Sequence, residues 1–166
     1  TAGDNGNDCA TTSTPCATIN DAIGKAANGD TIKVAVGIYT GTGTEVVLID
    51  KDITLSGGWN AGFTTQNSIS TIDSQNARRG VFVTGGDVIA SLDRFVVRNG
   101  SSGDGGGVYN TENLTITNSS IQNNFASYYG GGIYNPGNLT LNNTTVSNNS
   151  TSSYGGGGIF HSSGNL

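Results

Sequence analysis

The chain has 166 residues, 11% of them charged, and a net charge of −5. That length suits one domain, and an acidic balance without any basic run excludes a nucleic-acid interface or an anionic-membrane patch. No apolar run approaches the roughly 18 residues that span a bilayer, so no membrane insertion is expected of this segment, and with no methionine even at position 1 it is expected to be a processed or excised piece.

Asp4-Asn5-Gly6-Asn7-Asp8 alternates oxygen donors around a glycine, like half of a calcium loop. It lacks the acidic residue that closes such a loop, so Asp4 and Asp8 are weak calcium candidates; otherwise no metal and no cofactor is expected. Cys9 and Cys16 lie seven apart with Thr, Ser and Pro between them. The spacing suits a loop-closing disulfide, two free thiols being the alternative, and no further Cys is present for a zinc site. A disulfide favours an oxidising, exported location, extracellular or at the cell surface.

Residues 1–29 are predicted to form a cap containing an α-helix over Cys16–Ala27. Thr14-Pro15 would start it, Asn28-Gly29 would end it, and Ile19, Ala22, Ile23 and Ala26 would form its apolar stripe. Thr31 to Val36 then alternates as a first strand. Residues 30–104 read as irregular coils and 105–166 as regular repeats, all within a single domain 1–166. In the regular part Gly105-Gly106-Gly107-Val108-Tyr109-Asn110 matches Gly130-Gly131-Gly132-Ile133-Tyr134-Asn135, and Asn113-Leu114-Thr115-Ile116 matches Asn138-Leu139-Thr140-Leu141, each 25 residues on. A third copy opens at Gly155 with Ile159 and Phe160 and is interrupted at Leu166.

That period, without a helix in the repeat, predicts an all-β solenoid: a right-handed parallel β-helix of coils of about 25 residues, three strands each, with an N-terminal helical cap. Leu, Ile and Val fill its bore. Asn residues one coil apart, such as Asn118 and Asn143, stack in amide ladders. The Asn-x-Ser/Thr sequons follow from that composition.

Three groups of residues are candidates for function. Tyr109, Tyr134 and Phe160 follow inward-pointing residues, so alternation places their rings outside, one above another, either to stabilise the sheet or as a surface for sugar or a partner. Asp73, Arg78, Arg79, Asp93, Arg94 and Arg98 form the one charged cluster with catalytic or sugar-binding potential. Asp73 and Arg98 are one coil apart, which also allows a plain stacked ion pair. His161, the sole histidine, is expected to be a surface or corner side chain.

Cys16-Ala17-Thr18-Ile19-Asn20-Asp21-Ala22-Ile23, Gly29-Asp30-Thr31-Ile32, Gly37-Ile38-Tyr39, Ile53-Thr54-Leu55-Ser56-Gly57-Gly58 and the Gly-Gly-Gly-Ile-Tyr-Asn repeats resemble the pectin-lyase-like superfamily. Within it they resemble bacterial cell-surface repeat proteins related to the chlamydial polymorphic membrane proteins. The resemblance implies the fold and a surface habit, while the superfamily also contains polysaccharide lyases and hydrolases. The expectation is therefore a non-catalytic adhesin, stalk or fibre module. The alternative is a carbohydrate-active enzyme or polysaccharide-binding β-helix using the charged cluster. Expected partners are further coils of a longer chain or other copies of itself, which would cover the last coil, and possible partners are a polysaccharide or a host or neighbouring cell surface. A filament would use Thr1 to Asp8 or the aromatic ladder for its contacts.

Overall fold

The computed structural model describes residues 3–166, so the start of the proposed filament contact, Thr1 and Ala2, lies outside it. The helix α1 (Ile19–Lys25) is followed by a first coil of β1 (Asp30–Ala35), β2 (Ile38–Tyr39) and β3 (Glu45–Ile49). The second coil holds β4 (Ile53–Trp59), β5 (Ser70–Asp73) and β6 (Arg79–Val83). A third holds β7 (Ile89–Asp93), β8 (Phe95–Arg98), β9 (Ser101–Ser102) and β10 (Val108–Asn110). The fourth contains β11 (Asn113–Thr117), β12 (Ser120–Gln122), β13 (Phe125–Ala126) and β14 (Ile133–Asn135), and the fifth β15 (Asn138–Asn142), β16 (Thr145–Ser147), β17 (Ser150–Thr151) and β18 (Ile159–His161).

Every pairing between these strands is parallel and joins one coil to the next. The result is a parallel β-helix with three five-stranded sheets and a fourth of three short strands. Coils three to five therefore carry four strands rather than the expected three. The additional strand has only two residues, too few for alternation to reveal it.

Register stacks like on like in the bore. Val47, Val81, Val108 and Ile133 form one column, Leu55, Leu92 and Ile116 a second, and Ile72, Val97 and Ile121 a third; all ten side chains are fully buried. Full burial of such a side chain contributes about 1.5–3 kcal/mol, so the columns dominate the fold's stability. The glycine runs let the backbone close in at one corner. A Cβ on Gly106 would overlap the carbonyl oxygen of Phe125 on the next coil.

The coil length settles to 25 only late. Asp30 pairs with Ile53, 23 residues on, and Ile53 with Ala90, 37 on, because residues 60–69 loop out between β4 and β5. Asn113 pairs with Asn138, 25 on.

The helix begins at Ile19, not Cys16, and Thr18 rather than Thr14 caps it, its hydroxyl accepting from the Asp21 N–H at 3.2 Å. Upstream, the Ala17 and Thr18 N–H groups both donate to Asn5 Oδ1 at 3.0 Å. Cys16 is held to Cys9 in a disulfide with Cα atoms 5.0 Å apart. Those amides are satisfied outside a helix, so the helix starts after them. Ile19 and Ile23 bury against the first coil. Asn20 Oδ1 accepts from the Leu48 N–H at 3.0 Å, occupying part of the open edge of β3.

Candidate functional site

The charged cluster does not converge. Arg98 Nε donates to Asp73 Oδ2 at 2.9 Å, the stacked pair that a one-coil separation allows, and Asn99 Nδ2 and the Gln75 N–H each donate to Asp73 Oδ1 at 3.0 Å. Arg78 turns to the carbonyls of Thr40 and Gly41. Arg79 reaches the Asp104 carbonyl at 3.1 Å and Ser102 Oγ at 2.9 Å, with Glu45 Oε2 at 4.0 Å. Arg94 lies 3.7 Å from its neighbour Asp93. Asp93 in turn accepts from Asn118 at 2.8 Å and from Gln66 at 3.1 Å.

Chemically, the Asp73 carboxylate is held as an anion. Burial would raise the Asp73 carboxyl, but hydrogen bonds from Asn99, the Gln75 N–H and Arg98 together hold it below its ordinary value. Glu112 behaves alike: slight burial is outweighed by the Gly86 and Val88 N–H groups and the Thr111 hydroxyl, and its carboxyl is lowered. A general acid needs the opposite displacement.

Two cavities lie elsewhere. One of about 760 Å³ sits between the N-terminal segment, α1 and the open edge of β1, lined in part by Cys9, Cys16, Ile19, Ile32, Lys33 and Phe63. The other, about 360 Å³, opens the final coil among Leu139, Thr140, Leu141, Ile159 and Leu166. Of the weak calcium candidates, Asp4 Oδ1 accepts from the Gly6 N–H at 2.8 Å. Asp8 Oδ1 accepts from the Ala10 N–H at 3.1 Å and the Thr14 hydroxyl at 2.6 Å. Both carboxylates thus close turns of their own segment, and no group of three or more metal-ligating side chains gathers among the described residues.

The amide ladders follow the coil axis. Asn143 donates to Asn118 at 2.8 Å and Asn138 to Asn113 at 2.8 Å, on partly or fully exposed rungs. A buried ladder runs from Asn110 to Asn135 at 2.6 Å and ends on His161, whose Nδ1 lies 2.9 Å from Asn135 Nδ2. His161 is therefore the top rung of a ladder rather than a lone corner side chain.

The aromatic column is larger than alternation alone predicts. Tyr109 and Tyr134 have ring centroids 4.9 Å apart and Tyr134 and Phe160 5.8 Å apart. Phe82 extends the column below Tyr109 at 5.1 Å, and the Arg79 guanidinium lies 5.0 Å from the Tyr109 ring. Tyr129 packs on Phe160 at 4.4 Å and on Tyr154 at 5.1 Å, and Tyr154 meets Tyr128 at 6.1 Å. The column thereby widens into a strip across coils four and five. Sequence reasoning missed Phe82 and the three outer tyrosines; the 25-residue separation of Tyr129 and Tyr154, one full period, was the available signal.

Residues 118–136 match the family model of the Chlamydia polymorphic membrane protein (Chlamydia_PMP) repeat. The matched stretch is most of the fourth coil, from the Asn118 corner through β14, and includes Tyr128, Tyr129 and Tyr134. The chain is thus a parallel β-helix resembling chlamydial polymorphic membrane protein repeats. No curated protein and no solved structure matches it.

Proposed function

We propose that this chain is an exported, non-catalytic β-helix displayed at the cell surface, serving as an adhesive or stalk module. The observation that carries the reading is the disposal of the charged cluster. Each of its arginines and carboxylates is tied to a neighbouring side chain or carbonyl, while the outward strip is aromatic. The repeat match supports display at a surface, and the Cys9–Cys16 disulfide supports an oxidising compartment. Incubating the secreted protein with pectin, alginate and chondroitin tests the first half of the reading: no cleavage is expected, and release of oligosaccharide from any of them overturns it. Antibody labelling of intact cells tests display.

A further inference from the structure

We propose that the strip on coils four and five binds a neutral polysaccharide laid along the solenoid axis, with Tyr128 and Tyr154 as stacking platforms. This deepens the surface-module reading and rests on it only in taking that face to be open to the outside. Four observations carry it.

The first is exposure. Tyr128 is 50% and Tyr154 62% exposed, and nearby Phe125 38%. In contrast, the rings of Tyr109, Tyr134 and Phe160 are half-buried and press on one another. The column supports; the outer rings are free to engage. Tyr128 also leans over Gly103, where a Cβ would lie 3.7 Å from its ring, so no side chain of the coil below competes for it.

The second concerns hydrogen bonding. Among the described residues only Tyr39 spends its hydroxyl on an internal bond, to the Ala35 carbonyl at 2.9 Å. The hydroxyls of Tyr128, Tyr129 and Tyr154 remain available. A ring with a free polar tip, set among serine and asparagine, offers an apolar face for the C–H side of a sugar and donors and acceptors for its hydroxyl rim. Tyr, Ser, Gly and Asn are also the residues by which rigid adaptable binding surfaces are made.

Charge is the third. Beyond Glu112 the chain carries no Asp, Glu, Lys or Arg. The charged group placed against the strip is itself an anion, Asp104 on coil three, whose Oδ1 accepts from the Tyr129 N–H at 3.2 Å; with no cation on coils four and five to repay the desolvation of a uronate or sulfate, the ligand it fits is uncharged.

Shape is the fourth. The two cavities described above lie at the ends of the solenoid, away from the strip. What the strip repeats is rings from coil to coil: Tyr154 stacks on Tyr129, with centroids 5.1 Å and planes 20° apart, and lies 6.1 Å from Tyr128. A repeating ligand matches a repeating surface.

The test uses the intact chain in affinity electrophoresis through glucan, mannan and galactan, with alginate as the anionic control, and follows tyrosine ring signals by NMR. The expected result is retardation by at least one neutral glycan, stronger with chain length and unchanged by salt, with ring shifts in Tyr128 and Tyr154. Tyr128→Ala and Tyr154→Ala should each weaken binding by at least about threefold, the worth of one aromatic stacking contact, and the double variant should lose it. Both rings are exposed, so unchanged circular dichroism will show that the variants still fold. The proposal is overturned by no retardation in any neutral glycan, by retention only in alginate that salt abolishes, or by a double variant that binds as well as the parent. Absence of glycan binding without cleavage removes this inference and leaves the surface-module reading; cleavage does the reverse.

Discussion

Replacing Asn135 with alanine measures what the buried ladder contributes. The side chain is fully buried. Its Oδ1 accepts from Asn110 at 2.6 Å, and its Nδ2 donates to the Gly137 carbonyl at 2.9 Å and faces His161 Nδ1 at 2.9 Å. Asn110 Nδ2 keeps the Glu112 and Asn138 carbonyls at 3.0 and 2.9 Å, so it is not orphaned. The Gly137 carbonyl loses this donor. Three bonds at a net of about 1 kcal/mol each put the loss at about 3 kcal/mol. Asn138→Ala is the matched control, since its two side-chain bonds, to Asn113 and from the Asn165 N–H, are exposed; water replaces them, and the loss should stay below about 1 kcal/mol. Urea unfolding followed by circular dichroism gives the totals. Amide exchange is needed beside it, because the end of a solenoid can open by itself, and it should show faster exchange in β14 and β18 of the Asn135 variant. If Asn135→Ala costs no more than Asn138→Ala, the ladder is ornament and the argument from burial is wrong.

Asp73→Asn tests the stacked pair by pH. The folded carboxyl lies below its ordinary value of about 3.9, so its stabilisation is present above that value and disappears as pH falls through the lowered one. The stability gap between parent and variant should therefore close in acid, and a gap independent of pH would contradict the pairing. Two glycines should respond in opposite directions in unfolding experiments. Gly106→Ala forces a Cβ onto the Phe125 carbonyl and should cost more than about 3 kcal/mol, whereas Gly24→Ala, in α1 with nothing within 4 Å of the new Cβ, should stabilise by about 0.5–1 kcal/mol. Reducing the Cys9–Cys16 bond, whose short loop corresponds to about 2.5 kcal/mol of chain entropy, should accelerate amide exchange at Ala17 and Thr18 while leaving coils three to five unchanged; free thiols in unreduced protein would remove the premise.

The regular coils were legible because one physical pattern repeats: an inward aliphatic at every second position of a strand, and an asparagine at two corners of coils four and five. Asn118, Asn123, Asn143 and Asn148 all take positive φ, which asparagine tolerates better than most residues, and the same positions carry the period in the sequence. The helix start was misplaced because Thr14-Pro15 has the local features of a cap, whereas what decides the matter is non-local: Asn5 holds the Ala17 and Thr18 amides from twelve and thirteen residues away. The candidate strip was half legible. Tyr109, Tyr134 and Phe160 follow from alternation within strands, but Tyr128, Tyr129 and Tyr154 stand on a corner where no alternation exists.

The placement of charge follows from the same contrast. Where coils keep the 25-residue period, backbone pairing and asparagine rungs close every turn, and beyond Glu112 the chain uses no charged side chain. Where coils run long, the backbone connections must wander, and long side chains tie them down. Glu45 pairs with Arg79, 34 residues on. In that oversized turn Arg78 fastens the Thr40 and Gly41 carbonyls while Arg79 spans Glu45 and Asp104. In the 37-residue coil Gln66 fixes the looped segment to Ser56, Gly57 and Asp93, and Lys33 lies 4.0 Å over the Trp59 ring. Within the cluster that looked catalytic in the sequence, Asp73 and Arg98 keep the 25-residue separation, but Arg78 and Arg79 lie where the solenoid departs from its period, and both reach carbonyls of adjacent coils. A guanidinium donates in several directions at once and so can gather carbonyls that no strand pairs.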